Sequence, residues 1–186
     1  QIYGRVRGAT RPAPICAPAN PQVLMASLLA EDLNLGLTRM VEACDVGSRG
    51  QLAWKLRQDP RVVVMERVNA RLLTAAHFPQ PFFPLDLVVI DCSFISLRKI
   101  LLPAIALLGL SGKIVALLKP QFEAGKQEAD RGAGVITDPA IHDRVLAELE
   151  DFVLTRSRLV WRGVTESPLL GPAGNKEFLV LLEKID

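Results

Sequence analysis

The sequence from residue 41 onward predicts an α/β fold with a mostly parallel sheet covered by helices on both faces. Three observations support this. Short β-branched apolar runs alternate with longer stretches of helical period. One run, Leu87-Val88-Val89-Ile90, is apolar without alternation, as a strand buried on both faces should be, and marks the sheet centre. Pro and Gly punctuation at Gln80-Pro81, Leu110–Gly112 and Ser167–Gly174 supplies the connections.

Taken in order, strands are expected near Met40–Asp45, Arg61–Met65, Leu85–Asp91, Lys113–Leu118, Arg158–Gly163 and Lys176–Glu183. Helices fit Gly50–Arg57, where Leu52, Ala53 and Leu56 share a face, Leu97–Leu108, and Pro139–Thr155. The last is the best signalled, because Asp138 offers an N-cap and Pro139 suits the first helical position. The first strand is uncertain. In residues 1–40, Arg5, Arg7 and Arg11 stand among Pro12, Pro14, Pro18 and Pro21 with no clear strand, and only Val23–Asn34 has helical character, with Leu24 and Leu28 on one side. This divides the chain into a divergent N-terminal segment, 1–40, and a main domain, 41–186. Whether the first belongs to the second is left open.

A chain of 186 residues with 49% hydrophobic and 23% charged residues suffices for one sizeable core. A formal net charge of +2 gives no global pull toward nucleic acid or membrane. Cys16, Cys44 and Cys92 are odd in number and far apart, which argues against a disulfide framework or a zinc site and fits a reducing, cytoplasmic setting. No apolar run approaches the roughly 18 residues of a membrane span, so no membrane partner is expected. The chain starts at Gln1 without a methionine, and an upstream segment is expected to be missing.

In an open α/β sheet, ligands bind beyond the carboxyl ends of the strands, which directs attention to the polar residues after each apolar run. Asp45 suits a ribose diol at the end of a second strand, or equally a turn before Gly47. Glu66 and Asn69 suit an adenine pocket or the cap of a short helix. Asp91 and Lys119 end two neighbouring strands and begin loops, where they form either a structural ion pair or part of a reactive site. Glu177 follows a glycine-rich stretch, Gly171 to Lys176, at the start of the last apolar run, and is either a solvated strand-start glutamate or a site residue. Gly125–Val135 is polar and glycine-containing, as a mobile loop would be; Lys126 and Arg131 are candidates for phosphate contact, with Glu123, Glu128 and Asp130 nearly cancelling their charge. His77 and His142 are read as structural or solvent-facing, and Trp54 and Trp161 as core anchors.

Several stretches resemble the TlyA family of FtsJ-like ribosomal RNA 2′-O-methyltransferases, often labelled hemolysins. They are Asp45-Val46-Gly47 with Gly50–Arg57, DLVVIDCSFISL over Asp86–Leu97, KPQFEAG over Lys119–Gly125, and SPLLGPAGNKE over Ser167–Glu177. The similarity covers about residues 41–183, in order and at the family's spacing. It implies a Rossmann-like class I methyltransferase sheet, S-adenosylmethionine as cofactor, ribosomal RNA or a ribosomal subunit as partner, and methyl transfer to a ribose 2′-hydroxyl. It also implies a Lys-Asp-Lys-Glu catalytic set, which maps onto Asp91, Lys119 and Glu177; Asp45, Glu66, Asn69 and Asp91, by their positions after the strands, are the candidates for cofactor contact. Lys119 would contact the hydroxyl and help remove its proton. Two carboxylates beside a lysine work against its acting as a base, so orientation should weigh as much as basicity.

The chain departs from the family in residues 1–40, which contain nothing like the first-strand motif D-V-G-x-S-x-G-G-F-T that approaches the cofactor's methionine part. The family's S-R-G-G-L-K segment, which carries the first lysine, is echoed only by Val6–Arg11, placing Arg11 where a lysine belongs; a guanidinium cannot serve as a base. The S4-type RNA-binding domain that usually precedes such a domain is absent from the sequence given. Three functions are therefore weighed: an RNA 2′-O-methyltransferase domain, a degenerate fold that has lost its cofactor and acts as a binding module, and a membrane-lytic hemolysin.

Overall fold

The computed structural model describes residues 2–4, 23–28, 58, 63–65, 68–171 and 173–185. The expected strand at Met40–Asp45, the expected helix at Gly50–Arg57, and Arg11, Asp45, Trp54 and Glu66 lie outside them.

Among the described residues seven strands form one sheet: β1 (Ile2–Gly4), β2 (Val23–Leu28), β3 (Val63–Met65), β4 (Leu85–Cys92), β5 (Leu108–Leu118), β6 (Leu159–Glu166) and β7 (Phe178–Lys184), in the order β3-β1-β2-β4-β5-β7-β6. Among the described residues four helices accompany them: α1 (Arg98–Leu107), α2 (Pro120–Glu123), α3 (Lys126–Arg131) and α4 (Pro139–Arg156). Two short 3-10 turns, Ala70–Leu72 and Ala75–His77, precede β4.

The sheet is mixed, which corrects the expectation of a mostly parallel one. Only β2 with β4 and β4 with β5 pair in parallel, while β1–β2, β1–β3, β5–β7 and β6–β7 are antiparallel. At the β6–β7 edge the reason is chain length. The connection between these strands is too short and too irregular to house the crossover helix that a parallel neighbour needs.

The N-terminal residues also differ from expectation. Val23–Leu28, read as helical, is a strand pairing along its whole length with β4, from Val23 opposite Leu87 to Leu28 opposite Cys92. Ile2–Gly4 is a second strand where none was read. The spacing of Leu24 and Leu28 satisfies both periods, since residues four apart share a face of a helix and also of a strand. The segment Gly125–Val135, read as a loop, contains α3.

β4 takes the sheet centre as expected. Its apolar run is less symmetrically buried than predicted: Val88 and Ile90 are 1% exposed, while Leu87 and Val89 are half-buried. The register sets Ile90 opposite Ala116 and Ala116 opposite Val180, so Val88, Ile90, Ile114, Ala116, Leu118, Val180 and Leu182 form one continuous buried face. Along α4, His142, Val145, Leu149 and Val153 recur at three- and four-residue spacing as its buried stripe. Asp138 caps that helix by accepting from the Ala140 amide at 2.9 Å, with Pro139 at its start. The C-terminal carbonyls of α1 are satisfied from the far edge of the chain, where Lys184 Nζ donates to Ile105 and Leu108 at 3.2 and 2.7 Å.

β5 begins earlier than expected and carries an irregularity: Leu85 pairs with Leu108, yet Leu87 pairs with Lys113. The Leu110–Gly112 stretch, read as a connecting loop, lies in this irregularity. A Cβ on Gly112 would stand 2.9 Å from the carbonyl oxygens of Leu85 and Gly109, so only glycine permits the approach.

The strand order places a topological switch between β2 and β4. From β2 the chain passes to β3 on one side of the sheet, whereas from β4 it passes to β5 on the other. Crevices of this kind, outside the carboxyl ends of parallel strands, are the ligand sites of open α/β sheets.

Candidate active site

β4 and β5 run in parallel register and deliver Asp91 and Lys119 to the same edge of the sheet, on the β4 side of that switch. Lys119 Nζ lies 2.6 Å from Asp91 Oδ1. Exposure of the two side chains is unequal: 12% for the lysine and 53% for the aspartate. The ammonium is thus enclosed, whereas its partner carboxylate is exposed. Lys119 Nζ also donates to Ser93 Oγ at 3.3 Å.

The loops that follow these residues are joined to each other. Phe94 and Phe122 pack with ring centroids 4.9 Å apart. Ser96 Oγ and the Leu97 amide donate to the two oxygens of Glu123 at 2.7 and 2.6 Å. Phe94 holds φ at 62°, a left-handed conformation that is uncommon for a bulky residue and is associated with functional segments. The DLVVIDCSFISL and KPQFEAG stretches are therefore two halves of one structure.

Glu177 comes from the β6–β7 connection and is 6% exposed. Burial pushes its carboxyl above the usual range; the Lys119 ammonium draws it down, the Asp91 carboxylate pushes it up, and the Gln121 side chain draws it down. The loop bringing it there is closed at its base by the Ser167 amide donating to the Glu177 carbonyl at 2.8 Å. Its turn is built by Gly171 donating to the Asn175 carbonyl at 2.9 Å and Gly174, at φ +89°, donating to that of Gly171 at 2.8 Å. Gly171 gives the carboxylate its room, since a Cβ there would meet Glu177 Oε1 at 2.6 Å.

Asn175, which the sequence did not single out, is 2% exposed and pins this loop to the one before α4. Its Oδ1 accepts from the Ile136 amide at 2.8 Å and its Nδ2 donates to the Gly134 carbonyl at 2.9 Å. His142 completes the contact by donating from Nε2 to the Ile136 carbonyl at 2.9 Å, a buried structural role in keeping with its reading. His77 is exposed and bonds through Nδ1 to Thr74. Trp161 packs, partly buried, against the core.

Asn69 takes the capping alternative: its Oδ1 accepts from the Arg71 amide at 3.0 Å at the start of the 3-10 turn. Glu123, read only as a charge offsetting Lys126 and Arg131, is a half-buried acceptor instead. A glutamate one helical turn after an N1 proline that itself follows a candidate site lysine is the signal that would have found it.

The family model for FtsJ-like methyltransferases matches residues 22–184, and the chain belongs to that family. The match starts one residue ahead of β2, upstream of residue 41, where the sequence resemblance began. Among its relatives, the 16S/23S rRNA (cytidine-2′-O)-methyltransferase TlyA of Mycobacterium tuberculosis is 48% identical over 146 residues, 76% of this chain and 51% of that protein. The protein named "Putative rRNA methyltransferase YqxC" of Bacillus subtilis is 46% identical over 140 residues, 75% of this chain and 48% of its own. A solved "putative hemolysin" from Lactococcus lactis superposes with a TM-score of 0.66 at 45% identity, covering 72% of this chain and 62% of that one. The chain spans about half the length of the curated relatives it matches.

Proposed function

We propose that this domain transfers a methyl group from S-adenosylmethionine to a ribose 2′-hydroxyl of ribosomal RNA on a Rossmann-like scaffold, with Asp91, Lys119 and Glu177 as its catalytic residues, in the cytoplasm. The observation that carries the reading is the enclosed Lys119 ammonium, held 2.6 Å from an exposed Asp91 at the carboxyl edge of the sheet. Strands β1 and β2 hydrogen-bond into the same sheet, so Ile2–Gly4 and Val23–Leu28 are read as part of this domain.

The charge balance of the site suits the cofactor. Asp91 and Glu177 against Lys119 leave one negative charge in excess, which a cationic sulfonium would neutralise. The bound cofactor supplies an electrophilic methyl group. Asp91, which is exposed, is read as a described residue that would hold it; the roles expected of Asp45 and Glu66 fall outside the described residues.

Lys119 is anchored by Asp91 and Ser93, so its remaining hydrogen is directed and can hold the 2′-oxygen in line for attack. Transfer of the methyl group would break the cofactor's carbon–sulfur bond and leave a neutral thioether, while the acidified hydroxyl proton would pass to Lys119 as Lys119 handed one of its own protons to Asp91 Oδ1. The ammonium is restored and the proton ends on the solvent-exposed carboxylate, so basicity of the free lysine is not required. Glu177, with its ionised form disfavoured by burial, keeps a negative charge near the ammonium at low dielectric.

Calorimetric titration of the domain with S-adenosylmethionine tests the first requirement. Saturable heat and a raised melting temperature are expected. No heat and no stabilisation at millimolar cofactor would replace the enzyme reading by that of a degenerate fold. Among the described residues no helix is long and apolar enough to cross a membrane.

A further inference from the structure

Between Lys119 and α3 lies a carboxylate that the mechanism above does not use. Glu123 stands at the end of α2, four residues beyond Lys119, and its oxygens take two short hydrogen bonds from the other catalytic loop, at 2.7 Å from Ser96 Oγ and 2.6 Å from the Leu97 amide. These bonds join positions 26 and 27 residues apart in the chain. They lie at the far end of a series of contacts between the same two loops: Asp91 to Lys119, Ser93 to Lys119, Phe94 to Phe122.

The cation nearest in kind does not neutralise it directly. Arg98 Nη2 is bonded to Glu148 at 2.7 Å, and Glu148 in turn to Arg144 Nη1 at 2.9 Å, whose Nη2 reaches Glu128 at 2.5 Å. Burial pushes the Glu123 carboxyl up, opposed by the Ser96 and Leu97 hydrogen bonds and the Arg98 charge, with Glu148 adding to the rise. A carboxylate placed there at an electrostatic cost, with both oxygens accepting from one neighbouring loop, is a geometric clamp.

We propose that Glu123 is a positioning residue for the Asp91–Lys119 pair: by holding the loop after Lys119 against the loop after Asp91, it fixes the lysine ammonium between Asp91 and Ser93. This rests on the methyl-transfer reading only for its consequence in catalysis, not for the clamp. Glutamine can replace the glutamate without loss of either contact, since its carbonyl accepts from the Leu97 amide while its amide donates to a reversed Ser96 hydroxyl. Alanine can make neither contact.

The test pairs kinetics with a measurement independent of activity. Competitive acetylation by acetic anhydride, read by mass spectrometry, reports the reactivity of Lys119 relative to exposed Lys176. In folded Glu123→Ala, Lys119 should become several-fold more reactive, and methyl-transfer kcat should fall about ten- to hundredfold with little change in KM for S-adenosylmethionine. Glu123→Gln should restore both. Unchanged Lys119 reactivity in folded Glu123→Ala overturns the clamp, as does a Glu123→Gln variant as loose as the alanine. If Glu123→Ala does not fold, Ser96→Ala removes one of the two donors and leaves the carboxylate; raised Lys119 reactivity supports the clamp and an unchanged value overturns it. A wild-type chain without methyltransferase activity would refute the proposed function and leave the labelling result to decide this one.

Discussion

Gly171→Ala isolates the seating of Glu177 from the stability of the fold. The added Cβ would stand 2.6 Å from Glu177 Oε1 and 3.3 Å from its Cδ, so the carboxylate must retreat by about 0.8 Å to regain ordinary contact near 3.4 Å. The obstructing atom is the free end of a flexible side chain, and the overpacking should cost only about 1 kcal/mol of stability. Catalysis is less forgiving, because a displacement of about 1 Å in a reacting constellation can cost roughly a hundredfold. The expected variant is therefore folded, with a urea midpoint close to wild type, and with single-turnover methyl incorporation reduced about a hundredfold, or about 2.7 kcal/mol of transition-state stabilisation. Affinity for S-adenosylmethionine should hold. A folded Gly171→Ala domain that methylates at the wild-type rate would refute the assignment of Glu177, since its carboxylate would then have moved without consequence.

Two further outcomes follow from the same loop. The Glu177 carboxyl is pushed above its usual range by burial, so the folded state holds its proton more tightly than the unfolded chain does; the resulting stability is complete below the unfolded value and is lost as pH rises through the folded one. Glu177→Gln should therefore raise the urea midpoint at neutral pH, by an increment that shrinks toward zero as pH falls to about 4.3, and urea melts across that range would show an unchanging increment if burial were not the cause. Asn175→Ala strands the Ile136 amide and the Gly134 carbonyl, at a cost of about 1–3 kcal/mol for a buried unsatisfied group, and equilibrium unfolding that shows no loss would contradict the pinning of the two loops.

Much of the fold was legible because of continuous apolar strands and a well-signalled helix. Leu85–Asp91 and Lys113–Leu118 stood out as β-branched runs, and Asp138-Pro139 announced α4. β2 was misread because the spacing of Leu24 and Leu28 fits either period, and β1 is only three residues long, too short for any periodic signal. Strand direction at the β7 edge is a tertiary property; the length of the β6–β7 connection was the only clue to it. Within the candidate site, Asp91 and Lys119 were legible because charges that end adjacent buried strands must meet. Glu123 and Asn175 were not, since their partners, Ser96 with Leu97 and Gly134 with Ile136, are distant in sequence and include backbone groups that leave no trace in it.

The central claim is that the pairing of Lys119 with Asp91 marks a site for ribose 2′-hydroxyl methylation. Nucleoside mass spectrometry of ribosomal RNA incubated with the domain and isotope-labelled S-adenosylmethionine measures this directly. Labelled 2′-O-methylnucleoside should form with the wild-type chain and not with a folded Lys119→Ala variant that still binds the cofactor. Label on a base instead of a ribose, or equal ribose labelling by Lys119→Ala, would contradict it.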